Sequence, residues 1–373
     1  MFIEVHVLQN YALSNLNRDD TGAPKTCEFG GVRRARISSQ CLKRAVRTYF
    51  RDHAVVPANL LSKRTKRLKE ALADRIAGQG IPEGDAVALA GATIEQLGLK
   101  LEKDKTQYLL LLGNQEMDKL AALAVEHRNT LLSPHKPAKG DKTLQGLLWE
   151  ALDGGDAIDL ALFGRMIADK PDHNVDAAVQ MAHAISTHAV STEFDFYSAV
   201  DDLQRDDAEE GAGAGMLGTI LYNSSCYYRY ANVDFQQLLT NLGGDAGKAE
   251  TGVRAFLQGM IHAVPTGKQT GSAAQNPPAL IMVTVRDTGL WSLANAFVKP
   301  VQVRGDQDIV ALSAQALMDH FGQLCRMYGA DPIRYAGVAT YLDVTDVPAP
   351  AVTEESAPAL VDAVMNVLAA ARR

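Results

Sequence analysis

The chain has 373 residues, of which 47% are hydrophobic and 22% charged, enough apolar material for a sizeable core and too much for a disordered or fibrous chain. Lys and Arg number 37 against 44 Asp and Glu, for a net charge of −7, and as a total that balance argues against a nucleic-acid binder. No apolar run approaches the roughly 20 residues that cross a bilayer, and no basic stretch precedes an apolar core at the N-terminus, so a cytoplasmic protein with no membrane partner is expected.

Length predicts two or three folding units. Phe2 to Leu8 alternates apolar with polar residues and is rich in β-branched ones, which predicts a half-buried strand. A polar loop follows through Asn17, Asp19, Asp20, Gly22 and Pro24, and Gly30-Gly31 leads into a second strand, Val32 to Ile37. Ser38 or Ser39 then caps a helix whose Leu42, Ala45, Val46, Tyr49 and Phe50 share one face. From about Val56 to Thr187 the periodicity predicts an all-helical insert. Ser191 to Cys226 reads as a long hairpin or a protruding loop: an aromatic cluster, an acidic run, Gly211 to Gly215, then Leu217 to Tyr222. Strands are predicted again at Tyr227 to Val233 and Ala279 to Arg286, with helices at about 235–242 and 252–263 and a last amphipathic helix at about 359–371.

Resolved along the chain, the charge has two poles. Arg33, Arg34, Arg36, Lys43, Arg44 and Arg47 give residues 33 to 47 a local charge of +6, with no acid among them. Residues 193 to 210 hold eight acids, Glu193, Asp195, Asp201, Asp202, Asp206, Asp207, Glu209 and Glu210, against Arg205, a local −7. On the first helix Lys43, Arg47 and Arg51 recur every four residues, opposite the apolar stripe. Such a face tracks a phosphate backbone, and the helix start, with Ser38 and Gln40 beside it, is a ready anion site. The plain alternative is a solvated cationic face.

Other motifs are weaker. Cys27, Cys41, Cys226 and Cys325 form no CxxC pair, and His183 and His188 lie five apart, the wrong register for a metal pair on one helical face, so neither metal nor cofactor is expected. Both histidines read as helix or core residues. Gly213 to Gly218 spells GxGxxG but lacks a preceding strand and a correctly spaced acid; flexible-hairpin glycines fit better than a nicotinamide site. Gly247-Lys248 and Gly267-Lys268 lack the rest of a phosphate loop, although Lys268 is a candidate phosphate contact. Asp19 and Asp20 are either loop-capping aspartates or acids of a metal-assisted nuclease. Met166, after Gly164-Arg165 at a helix end, is either a buried methionine or a wedge against bases.

Asn17-Arg-Asp-Asp20, Phe29-Gly-Gly31 and Arg33-Arg-Ala-Arg-Ile-Ser-Ser-Gln-Cys-Leu-Lys-Arg44 closely resemble the CasC family, the backbone subunits of type I-E CRISPR surveillance complexes (Cascade). Met181 to His188, Ala199 to Gln204, Tyr228 to Asn232 and Leu293 to Phe297 match in the same order. The resemblance implies an α+β fold: a modified RNA-recognition-motif (ferredoxin-like) palm, a helical fingers insert and a protruding thumb hairpin. The corresponding ranges are palm 1–55, fingers 56–187, thumb 188–228, palm 229–345 and C-terminal helix 346–373. It also implies a non-catalytic subunit that binds guide RNA (crRNA), stacks head-to-tail with further copies beside other Cascade subunits, and presents the guide for pairing with target DNA. Carried over residue by residue, Lys25, Ser38, Gln40, Lys43, Arg47 and Lys268 contact the guide, beside the arginines at 33, 34 and 36. Met166, Tyr197, Val200 and Leu217 build the kink where a nucleotide is displaced. The acidic thumb stretch would then meet the basic palm of the next copy. The alternative is a relative of the type III backbone subunits that cut target RNA with a loop aspartate, here Asp19 or Asp20.

Overall fold

The computed structural model describes residues 1–133, 142–167, 170–199, 216–344 and 346–372. In chain order the strands are β1 (Phe2–Ser14), β2 (Thr26–Phe29), β3 (Val32–Ile37), β4 (Ser62–Thr65), β5 (Leu101–Glu102), β6 (Lys105–Thr106), β7 (Leu110–Gly113), β8 (Val179–Met181), β9 (Ala184–Ser186), β10 (Glu193–Ala199), β11 (Met216–Asp234), β12 (Leu280–Arg286), β13 (Ile333–Thr340) and β14 (Val352–Thr353). The chain forms two units, Met1–Tyr49, Met181–Asn232 and Phe256–Arg373 in the first, Phe50–Gln180 and Val233–Ala255 in the second. The architecture is mixed α+β, built on one large mixed sheet.

The first unit carries that sheet in the order β14-β13-β12-β1-β11-β9-β3-β2, with β10 added to β11. β1 pairs antiparallel with β12, and β12 with β13, while β14 joins parallel at the edge. One sequence expectation changes here. β1 is 13 residues long and buried continuously from Ile3 to Leu8, so it is covered on both faces. Its polar alternation serves an internal network: Glu4 accepts hydrogen bonds from Tyr230 Oη (2.8 Å), Thr284 Oγ1 (3.0 Å) and the Trp291 amide (2.6 Å), with Arg286 3.4 Å away. His6 Nδ1 and Tyr228 Oη share a hydrogen bond (2.9 Å), and the hydroxyl accepts from the Leu293 amide (2.9 Å). Buried polar groups persist when partnered in this way. Leu8, Leu280 and Met282 pack with Phe297, Leu317 and Phe321 into an apolar cluster.

The second unit centres on helices α2 (Leu68–Ala77), α3 (Glu83–Gln96) and α4 (Asn114–Glu126), numbered after α1 (Ser39–Asp52) of the basic segment. Their Leu72, Ile76, Leu89, Ile94, Met117 and Leu120 share one core. The all-helical expectation for 56–187 is corrected in two places. β4 pairs antiparallel with β7, and β5 with β6. At its C-terminal end β9 pairs with both β3 and β11 of the large sheet. Runs as short as Leu110–Gly113 and Ala184–Ser186 carry too few residues for helical and strand periodicity to be told apart. Among the described residues no helix is long and apolar enough to cross a membrane.

Candidate nucleic-acid interface

The predicted helix start forms as α1, and Ser38 is its cap: Ser38 Oγ accepts the Cys41 amide at 3.3 Å. Asn17 ties this terminus to the polar loop. Its Oδ1 accepts the Ser38 amide (2.8 Å) and its carbonyl accepts the Lys25 amide (2.9 Å), while the Lys25 carbonyl accepts the Arg36 amide (2.9 Å). The loop before Lys268 closes on the same place. A Cβ on Gly267 would stand 2.4 Å from the Leu16 carbonyl oxygen and 2.9 Å from that of Asn15, so only glycine permits the approach. The structure therefore gathers Lys25, Ser38 and Lys268 around Asn15 to Asn17. Lys268 itself is exposed, at φ +52°.

The arginines of β3 separate by role. Arg33 is exposed and Arg36 half-buried. Arg34 is fully buried and donates to the carbonyls of Phe29 (3.2 Å), Ser186 (3.1 Å), Phe297 (2.7 Å) and Val298 (3.3 Å). The expectation that Arg34 contacts RNA is corrected: its donors hold the sheet to the 297–298 segment, and Arg34 and the following Ala35 are both buried in β3. The β2–β3 hairpin tip seals that contact, since Gly30, at φ +63°, leaves no room for a Cβ against the Val298 carbonyl. On α1, Gln40 is exposed and Lys43 and Arg47 are half-buried, opposite the buried Leu42, Ala45 and Val46. Partial burial draws the Lys43 ammonium below its ordinary pKa.

The predicted hairpin forms as β10 against β11, pairing Glu193 with Tyr222 through Ala199 with Met216. Phe194 and Phe196 are 77% and 68% exposed, an apolar strand face that water alone does not favour. Tyr197 pairs with Gly218, and Leu217 with Ser198. Val200, the acids from Asp201 to Glu210 and Gly211 to Gly215 lie outside the described residues.

Met166 belongs to the second unit and is 81% exposed, contrary to the default of a buried methionine. Its neighbours explain this. Arg165 is buried and donates to both carboxylate oxygens of Glu116 (2.8 and 2.9 Å) and to the Leu152 carbonyl (2.9 Å). Ile167 is buried too, its amide held by Asn174 Oδ1 at 2.6 Å. Two anchored residues in an extended segment thus project Met166 outward.

The remaining candidates resolve individually. Asp19 Oδ1 accepts from the Thr21 amide (2.9 Å), Thr21 Oγ1 (2.7 Å) and the Ala23 amide (3.0 Å), the loop-capping role, and the Thr21 hydroxyl chiefly lowers its pKa. Lys248 pairs with Asp156 (2.8 Å) and Asp245 (3.2 Å). His188 Nε2 accepts the Cys226 amide at 3.2 Å, a structural role. His183 is not helical; it is exposed in the bend between β8 and β9, beside Arg36. Sequence reading missed Asn17, Gly267 and Gly218 as positioning residues. The only signals for them were loop composition and a glycine motif that fitted another purpose poorly.

Residues 3–364 match the model of the CT1975-like protein family. The chain belongs to that family. Among solved structures, a chain of a "CRISPR RNA-guided surveillance complex, pre-nicking" is 33% identical with a TM-score of 0.85, the match covering 98% of this chain and 99% of that one. A chain of a further "CRISPR RNA-guided surveillance complex" is 29% identical with a TM-score of 0.75, over 98% and 99% of the two chains. No curated protein matches the chain. This CT1975-like protein has the fold of CRISPR surveillance-complex subunits and stands among CRISPR defence proteins.

Proposed function

We propose that the chain is a guide-RNA-binding backbone subunit of a type I-E CRISPR surveillance complex, with no catalytic role of its own. Copies assemble head-to-tail along one guide and leave stretches of it open for pairing with target DNA. In this reading the large sheet is a modified RNA-recognition-motif palm, the second unit supplies the fingers, and the β10–β11 hairpin is the thumb. The observation that carries it is the convergence of Lys25, Ser38 and Lys268 on Asn15 to Asn17 at the start of α1.

Such a cluster supplies cations, a hydroxyl and a helix N-terminus, donors that grip phosphates and read no base. The basic face of α1 continues it along a strand. Tyr197 and Met166 offer exposed platforms where a broken base stack is offset, as single-strand binding without sequence readout requires. The guide, and not the protein, then reads the target. Likeness over nearly the whole chain to subunits of RNA-guided complexes supports the same reading. The type III-like alternative is weakened by Asp19, whose Oδ1 is spent on capping its own loop.

The test is to purify the chain from cells expressing a CRISPR array and measure its ultraviolet absorbance ratio and the length of any RNA it carries. RNA of one length set by the repeat-spacer unit is expected. Protein that carries none and binds no added single-stranded RNA contradicts the proposal. Regularly spaced cuts of a complementary RNA in Mg²⁺, abolished by Asp20→Ala, would favour the cleaving alternative.

A further inference from the structure

His183 stands where the bend between β8 and β9 meets the basic edge of the sheet. Arg36 lies on the neighbouring strand, since β3 pairs with β9 through Arg36 with Ile185 and Ile37 with Ala184. The Arg36 guanidinium donates Nε to the Thr26 carbonyl (3.1 Å) and Nη1 to His183 Nδ1 (3.2 Å). A guanidinium carries donors and no acceptor. Nδ1 must therefore present its lone pair to Arg36, which fixes the ring as the neutral tautomer with its proton on Nε2. Partial burial, then the charges of Arg36 and Lys25, hold the ring's pKa below its ordinary value, in agreement with that tautomer.

The Nε2–H is thus a neutral donor on an exposed ring, held beside Arg36 and near Lys25, a cation that the proposed function already assigns to guide binding. We propose that His183 is a further guide-contacting residue, donating Nε2–H to a phosphate oxygen of the RNA while its Nδ1 holds Arg36 in place. This rests on the guide-binding reading above. A neutral donor adds affinity without adding to the count of released counterions, so its loss is invisible in the salt slope and visible in the affinity.

Three variants separate the contact from the support of Arg36. His183→Asn keeps an acceptor near Nδ1 and loses the distal donor; His183→Gln keeps a donor near Nε2 and loses the acceptor; His183→Ala loses both. The measurement is the affinity of the full-length protein for a single-stranded RNA of guide length and arbitrary sequence, across several salt concentrations. The expected result is a loss of about fivefold or more for His183→Asn and His183→Ala, near wild-type affinity for His183→Gln, and unchanged salt slopes throughout. Circular dichroism of each variant checks the fold, and the exposed position predicts no change. Wild-type affinity for His183→Asn overturns the contact, and if His183→Gln then loses affinity the ring acts only by positioning Arg36. Wild-type protein that binds no RNA at any salt overturns the parent reading and this one with it.

Discussion

The ring of Tyr197 rests over Gly218, its partner across the β10–β11 ladder: a Cβ at 218 would stand 2.4 Å from both Cζ and Oη of the tyrosine. The glycine's bare backbone is the seat that sets the ring's direction. Gly218→Ala is predicted to push the ring off that seat and to weaken guide binding nearly as much as Tyr197→Ala, about fivefold or more if the ring stacks on a base. The double variant should be no worse than Tyr197→Ala alone, because both changes remove one platform. Additive losses in this double-mutant cycle would show that the two residues act separately.

The hairpin tip makes a second prediction about stability alone. Gly30 and Gly31 both have positive φ, +63° and +75°, but only Gly30 abuts backbone, at the Val298 carbonyl; nothing lies within 4 Å of a Cβ at Gly31. Gly31→Ala should cost about 1 kcal/mol from the backbone conformation, and Gly30→Ala clearly more, about 3 kcal/mol, because the clash has no flexible partner to yield. Denaturant unfolding of the two variants measures the difference, and equal losses would mean the 297–298 segment moves freely.

Arg33 and Arg34 are adjacent and should behave oppositely. Arg34→Lys leaves carbonyls of Phe29, Ser186, Phe297 and Val298 short of donors and is predicted to destabilise by about 2 kcal/mol or more, since one ammonium cannot reproduce the guanidinium fork. Arg33→Ala should leave the melting temperature unchanged and reduce RNA affinity with a shallower salt slope. A thermally neutral Arg34→Lys would contradict the inward assignment.

That pair also marks how far the sequence was legible. The hairpin, the helix start at Ser38, the apolar face of α1 and the late strands follow from composition and period, which local structure obeys. Which arginine of β3 faces inward does not, because a buried arginine is recognised by four carbonyls brought from distant segments. Glu4 and His6 misled for the same reason: they mimic a water-facing alternation while bonding to Tyr230, Thr284 and Tyr228 across the sheet. The convergence at Asn17 was half legible, since a loop residue near a helix start is a natural cap, but Gly267 comes from 250 residues further on and nothing local announces it. For Met166 hydrophobicity left burial and a wedge against bases both open, and the exposed outcome depends on the Arg165–Glu116 pair beside it.

His6 makes the protein acid-sensitive. Burial first, and the Arg286 charge second, lower its pKa from 6.5 to about 3. The folded protein keeps this ring neutral where the unfolded chain, below about pH 6.5, takes up a proton, so the unfolded state binds more protons and stability falls as pH falls. One such group contributes a loss of up to about 1.4 kcal/mol per pH unit between roughly pH 6 and pH 3. Thermal unfolding from pH 7 to 4.5 should decline more steeply for the wild type than for His6→Asn, whose amide can still hydrogen-bond Tyr228 and takes up no proton. Parallel declines would assign the acid sensitivity elsewhere.

The central claim, that the basic face of α1 holds the guide through its phosphates, is tested most directly by the salt dependence of RNA affinity in the wild type and in the Lys43→Ala, Arg47→Ala double variant. The prediction is weaker binding for every RNA sequence and a slope of log affinity against log salt that is shallower by up to about 1.4, at roughly 0.7 per phosphate contact for a single strand. An unchanged slope, or a loss confined to particular sequences, would contradict it.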